Sequence, residues 1–132
     1  MTYMSWESPY FTSDEMKCSH TGTEMMDVLF MDKLTALREA YGQPMAVSSA
    51  YRHATHPAEA RKAAGTPSAH RLGRAVDILV AGQTAHKVVQ IALEHGFTGI
   101  GISQKGPWES RFIHIDDLQE KDGFPRPTVW SY

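Results

Sequence analysis

The chain carries a single cysteine, Cys18. An internal disulfide is therefore excluded, and so is a zinc knuckle built on paired cysteines. Any metal bound here must rest on histidine and carboxylate ligands. A basic excess is missing too: 13 Lys and Arg stand against 15 Asp and Glu, a formal charge of -2. Binding to a phosphate backbone needs the opposite balance, so no nucleic-acid partner is expected. No apolar run approaches the ~20 residues of a membrane span. The opening stretch MTYMSWESPYF has neither a basic n-region nor an apolar h-region. It does not read as a signal peptide, and synthesis in the cytoplasm is expected.

What is present suits a folded chain. Hydrophobic residues make up 42% and charged residues 21%, ordinary values for a globular protein. The length, 132 residues, predicts one domain over 1–132. Thr12 or Ser13 suits the cap of a short turn with Glu15 or Met16 behind it. Met26, Leu29, Phe30, Leu34, Leu37 and Tyr41 recur at helical spacing, which predicts a helix over 24–41 stopped by Gly42 and Pro44. A strand is expected over 45–52, a short surface helix over 56–65, a loop over 66–74 and a strand over 75–81.

Thr84 is placed to cap a helix over 85–95, with Ala85, Val88, Val89, Ala92 and Leu93 as its stripe and Gly96 as its end. Strands follow at 97–103 and 111–116, and the aromatic tail FPRPTVWSY is expected to pack on the sheet. The sum is α+β: a small, mainly antiparallel sheet with helices packed on one side. The alternation is too irregular for a doubly wound parallel fold.

Two strands carry ionisable residues in apolar company. Asp77 lies between Val76 and Ile78, and His114 and Asp116 alternate with Ile113 and Ile115. Alternate side chains of a strand point to opposite faces, so Asp77 faces away from Val76 and Ile78, while His114 and Asp116 share one face of their strand and Ile113 and Ile115 the other, positions from which the two polar sets could converge. A carboxylate among apolar neighbours is costly to bury unless it is paired or binds a cation. With His70 on the preceding loop, two histidines and a carboxylate make a catalytic zinc set with an open position for water. Each residue also has an ordinary reading. Asp77 can pair with Arg71 or Arg74, a strand histidine is often merely satisfied or exposed, and Asp117 reads as a surface residue at the strand end.

The segment His70-x-x-Gly73-x-Ala75-x-Asp77 resembles the metal motif of the zinc D-Ala-D-Ala carboxypeptidase family. That family includes phage L-alanyl-D-glutamate endopeptidases and murein endopeptidases, and the hedgehog signalling domain is a fold relative. Ser48-Ser49-Ala50-Tyr51-Arg52, Ser68-x-His70, Gly99-Ile100-Gly101-Ile102 and Phe112-Ile113-His114-Ile115-Asp116 are similar to further family segments, in the family's order, over about 45–116.

The resemblance implies a hedgehog/DD-peptidase-like fold, Zn2+ held by His70, Asp77 and His114, and a peptidoglycan peptide as substrate. Arg52 would bind a substrate carboxylate, for which a planar guanidinium fork is suited; its ordinary reading is a surface ion pair. Ser68 would help orient a ligand or substrate, or be only a loop residue. Many members place an acid three residues before the last histidine, where this chain has Arg111. Two carboxylates remain for the base: Asp116, on the ligand face about 7 Å from His114 in Cα spacing, and Glu109, in the preceding turn. Asp116 is preferred, with a role in fixing a histidine ring as its alternative.

His20, His53, His56, His86 and His95 are left outside the metal set, and a second site on Cys18 and His20 is discounted. Trp108 and Trp130 fit a cleft wall less well than ordinary packing. The small form resembles phage or prophage lysins, expected to act as monomers that reach the wall through a holin or lysis. A zinc-stabilised wall-binding or structural module without activity is the competing reading.

Overall fold

The computed structural model describes residues 5–60 and 68–132. Among these residues five strands form one sheet: β1 (Val47–Ser49), β2 (Ala75–Leu79), β3 (Gly99–Ser103), β4 (Phe112–Asp116) and β5 (Thr128–Ser131), in the order β1-β2-β4-β3-β5. Every pairing is antiparallel except β3 with β5. The helices are α1 (Ser13–Met16), α2 (Val28–Tyr41), α3 (Pro57–Ala60) and α4 (Gly82–Glu94), with single 3-10 turns at Trp108–Ser110 and Glu120–Asp122. The α+β class with a mainly antiparallel sheet follows directly. No helix among the described residues is long and apolar enough to cross a membrane.

One face of the sheet is the core. Val76, Ile78, Ile100, Ile113 and Ile115 pack with Phe30, Leu34 and Leu37 of α2 and with Val88 and Ala92 of α4. Phe30 is fully buried and meets Phe97 edge to face, with centroids 5.8 Å apart. Burying such a side chain contributes about 1.5–3 kcal/mol. The opposite face of the central strands carries the polar residues, as strand alternation requires.

Element boundaries move where tertiary contacts decide them. The helix expected from residue 24 starts at Val28, because Asp27 caps it by accepting the Phe30 N–H at 2.8 Å. The Asp27 N–H is in turn donated to the Gly73 carbonyl at 2.8 Å, which holds this stretch outside the helix. Gly42 ends α2 in the left-handed region, φ 74°, with its N–H on the Arg38 carbonyl, a conformation that glycine takes without strain. Leu29, assigned to the buried stripe, is 69% exposed, and Met31 is buried instead. Leu93 likewise faces outward while Ile91 is buried.

The second long helix begins at Gly82, not at residue 85. Thr84 is no cap: its hydroxyl donates to the Ala81 carbonyl instead of accepting an N–H. Gln104 supplies part of the missing function by accepting the Gly82 N–H at 3.1 Å. The expected capping of the first turn by Thr12 is present, as a reciprocal pair with Glu15. The strand expected over 45–52 shortens to the three residues of β1. Residues 61–65 of the expected surface helix and 66–67 of the expected loop lie outside the described residues. The tail does pack on the sheet, as β5 beside β3.

Candidate metal centre

The register of the sheet builds the site. Asp77 of β2 stands directly opposite His114 of β4, and both side chains leave the face turned away from the helices. His70 arrives from the turn before β2. Its carbonyl accepts the N–H groups of Arg52 and Gly73, at 3.2 and 3.1 Å, so the turn is tied to the segment after β1. All three side chains are buried.

The structure brings His70, Asp77 and His114 together, with one potential ligand atom from each within 4.8 Å of the others. His70 Nε2 lies 3.3 Å and His114 Nδ1 3.1 Å from the same oxygen, Asp77 Oδ1. The remote nitrogens are both engaged. His70 Nδ1 is 2.8 Å from the Ala50 carbonyl, and a donor there leaves Nε2 with its lone pair free. His114 Nε2 is 2.7 Å from Asp116 Oδ2, which by the same logic frees Nδ1. Anchoring the far side of each imidazole is what protein metal sites generally do. The donor set, two nitrogens and one carboxylate oxygen aimed at one point, fits a zinc ion with an open fourth position.

Charge is arranged to match. Burial pushes the Asp77 carboxyl up, but His114 and His70 held against its oxygen outweigh it and keep the group well below the usual carboxylate range. Burial lowers the pKa of His70, with only partial compensation from Asp77. Burial also disfavours a charged His114, yet Asp116 and Asp77 on its two nitrogens reverse the sign and raise its pKa. Asp116 is lowered, burial being overcome by His114 and Arg126.

Asp116 is fully buried, and both its oxygens are taken. Arg126 grips them from Nε and Nη2, each at 2.9 Å, while Oδ2 also faces His114. Glycines make the room. A Cβ at Gly99 would overlap the Asp116 carboxylate, and one at Gly101 would come within 2.8 Å of the Trp130 ring and 3.0 Å of His114 Cβ. The glycines of β3 are thus the floor on which the polar face is stacked. Trp130, for which ordinary packing was expected, has its ring 5.0 Å from that of His114.

Arg52 borders the centre. Its Nη2 is 3.7 Å from Asp77 Oδ2, its Nη1 3.8 Å from Glu59, and its Nε donates to Ser49 at 3.1 Å. Ser68 does not reach the three; its hydroxyl donates to Glu59 at 2.7 Å. Glu109 lies in the exposed 3-10 turn, and Arg111 donates to the Gly106 carbonyl and stacks over Trp108. Neither forms a hydrogen bond or ion pair with the three residues among the described contacts. Arg74 pairs with Asp117 and Asp122, not with Asp77. Asp117, read as a surface residue, is buried between Arg74 and Lys33. Cys18 accepts the His53 N–H and gathers no second metal cluster among the described residues.

Glu59, the Ala50 carbonyl and Arg126 were invisible as site components. Glu59 sits in what reads as a solvated helix, a backbone carbonyl has no sequence signature, and Arg126 lies in a tail without periodicity. The one available signal was Asp116 itself, whose burial demands a cation that the neighbouring residues in sequence do not supply.

No curated protein matches the chain. A family model described as Peptidase M15 does match, over residues 9–116. That span covers most of the sequence and includes all three residues of the cluster, so the chain belongs to the peptidase M15 family of zinc-dependent peptidases.

Proposed function

We propose that the chain hydrolyses peptide bonds of bacterial peptidoglycan, with His70 Nε2, Asp77 and His114 Nδ1 holding Zn2+. The observation that carries this reading is the convergence of two anchored imidazoles on one buried carboxylate oxygen. Zinc supplies Lewis-acid polarisation of a carbonyl and brings the pKa of water toward ~7.

The chain's own residues do the rest. Asp77 stays anionic because its pKa is held down. Arg52, steadied by Ser49 and Glu59, presents a guanidinium beside the centre. A carboxylate of a wall stem peptide, from a terminal D-alanine or a D-glutamate, is suited to that fork. Ser68 acts through Glu59, keeping its carboxylate toward Arg52. Since both oxygens of Asp116 are committed, Asp116 positions His114, and Glu109 is the carboxylate left to accept a proton and return it to the leaving amine.

Purified chain tested on isolated peptidoglycan, with and without a chelator, checks the proposal. Soluble fragments that disappear with chelator and return with zinc are expected. Free D-alanine among the products marks a carboxypeptidase, and larger peptides mark an endopeptidase. Arg111, standing where the resemblance implies an acid and turned to the Gly106 carbonyl, favours a second reading, a zinc-stabilised wall-binding module. Such a module sediments with the wall and releases nothing. Action from within a phage lysin, after a holin or lysis opens the way, belongs to the same proposal.

A further inference from the structure

We infer that the C-terminal segment completes the metal centre: Arg126, just before β5, and Trp130, within it, are positioning residues that fix the His114 ring with Nδ1 toward His70 and Asp77. Both lie beyond residue 116, where the family match ends. The inference rests on the proposed ligand set.

The bracing runs outward from His114. Its Nε2 is 2.7 Å from Asp116, so ring rotation is opposed by a buried, charge-assisted hydrogen bond. Asp116 is held in turn by the two parallel bonds from Arg126, the fork geometry that lysine cannot reproduce. Arg126 has little freedom of its own. Its third arm donates to the Pro125 carbonyl at 2.8 Å, and its guanidinium lies 5.2 Å from the Trp130 ring and 5.5 Å from the Phe124 ring. Its side chain is 8% exposed.

Trp130 restrains the same imidazole from its side, at 5.0 Å between centroids. The parallel register of β5 on β3 sets Trp130 opposite Gly101, which in turn pairs with His114. One side chain on Gly101 would displace this stack. The tail thus contributes a hydrogen-bonded brace and a wall to a ligand three strands into the sheet. Outer partners of this kind change metal affinity by about 10–100-fold when removed.

A merely structural role predicts something different. Arg126 would then only neutralise buried Asp116, and its loss would lower stability while leaving the folded chain's zinc affinity unchanged. The test is competition of the full-length chain with a chromophoric chelator for Zn2+, at a temperature where circular dichroism shows each variant folded. Visible spectra of the Co2+-loaded forms are recorded beside it. Arg126→Gln is expected to weaken Zn2+ binding about 10–100-fold and to alter the Co2+ bands. Arg126→Lys should fall between it and wild type, and Trp130→Phe should shift the bands with a smaller loss. Val129→Ala, on the exposed side of the same strand, should change neither.

Should Arg126→Gln fail to fold, Arg126→Lys and Trp130→Phe decide. Variants that bind Zn2+ as tightly as wild type, with unchanged Co2+ spectra, overturn this inference alone. Wild type that takes up no zinc overturns the ligand assignment and this inference with it.

Discussion

The two faces of the central sheet are made by the same strands and obey different rules. On the helix side, Val76, Ile78, Ile113 and Ile115 share a large apolar cluster with α2 and α4. Each contributes by burial, and no single contact is directional. On the other side, Asp77, His114, Asp116 and Arg126 form one chain in which every member has a specific partner. Losing a member there strands a buried charge, where the apolar face would only gain a cavity. The difference teaches that non-directional burial and directional pairing are separated across one layer of backbone, so a cavity on the apolar face should leave the ligand geometry of the other largely in place.

The sharpest way to break that separation is to remove a ligand. His70→Ala, Asp77→Ala or His114→Ala should each abolish zinc content and the proposed wall hydrolysis, while the helix signal in circular dichroism persists. Full activity in any of them contradicts the assignment. Glu109→Gln comes next: kcat should fall by about 10²–10⁴-fold with zinc content intact, measured by turnover beside elemental analysis. Loss of metal in that variant would move Glu109 out of the proton-transfer role.

The apolar face should answer in the opposite sense. Ile115→Ala, between His114 and Asp116 of β4, should cost about 2–5 kcal/mol in denaturant unfolding and leave zinc stoichiometry unchanged in the folded fraction. The pH response sharpens the comparison further. Asp77 and Asp116 have lowered pKa values when folded. Their contribution is complete above the unfolded carboxylate value of about 3.9 and fades as pH falls through the folded values. His114 is raised, so its contribution in metal-free protein is complete below about 6.5 and is lost as pH rises through the folded value. Metal-free protein should therefore lose stability at both ends of a pH series of melting curves, and Zn2+ should relieve the alkaline loss. Leu29→Ala is the smallest effect: this exposed residue should change stability by no more than about 0.5 kcal/mol.

Much of this layout was legible in the sequence because polar residues interrupt aliphatic strands. Asp77 and His114 stood out for that reason, and alternation set each opposite its aliphatic neighbours; the β2–β4 register is what brings the two onto one face. His70 stood out only through its motif. The glycines of β3 read as a strand signal, but their purpose appears only when Asp116 and Trp130 are seen above them. Asp116 illustrates the limit. Its face was predictable, yet whether it meets water or His114 depends on Arg126, ten residues away in the tail. Glu59 and Asp117 were read as solvated for the same reason, since their cations come from distant segments. Helix starts shifted where long-range backbone pairing, such as Asp27 with Gly73, outweighed local periodicity.

The most direct measurement of the central claim is anomalous scattering at the zinc edge from crystals grown with zinc. The account predicts one strong peak per chain, bounded by His70 Nε2, an Asp77 oxygen and His114 Nδ1. A peak elsewhere, or none between these three side chains, would contradict it.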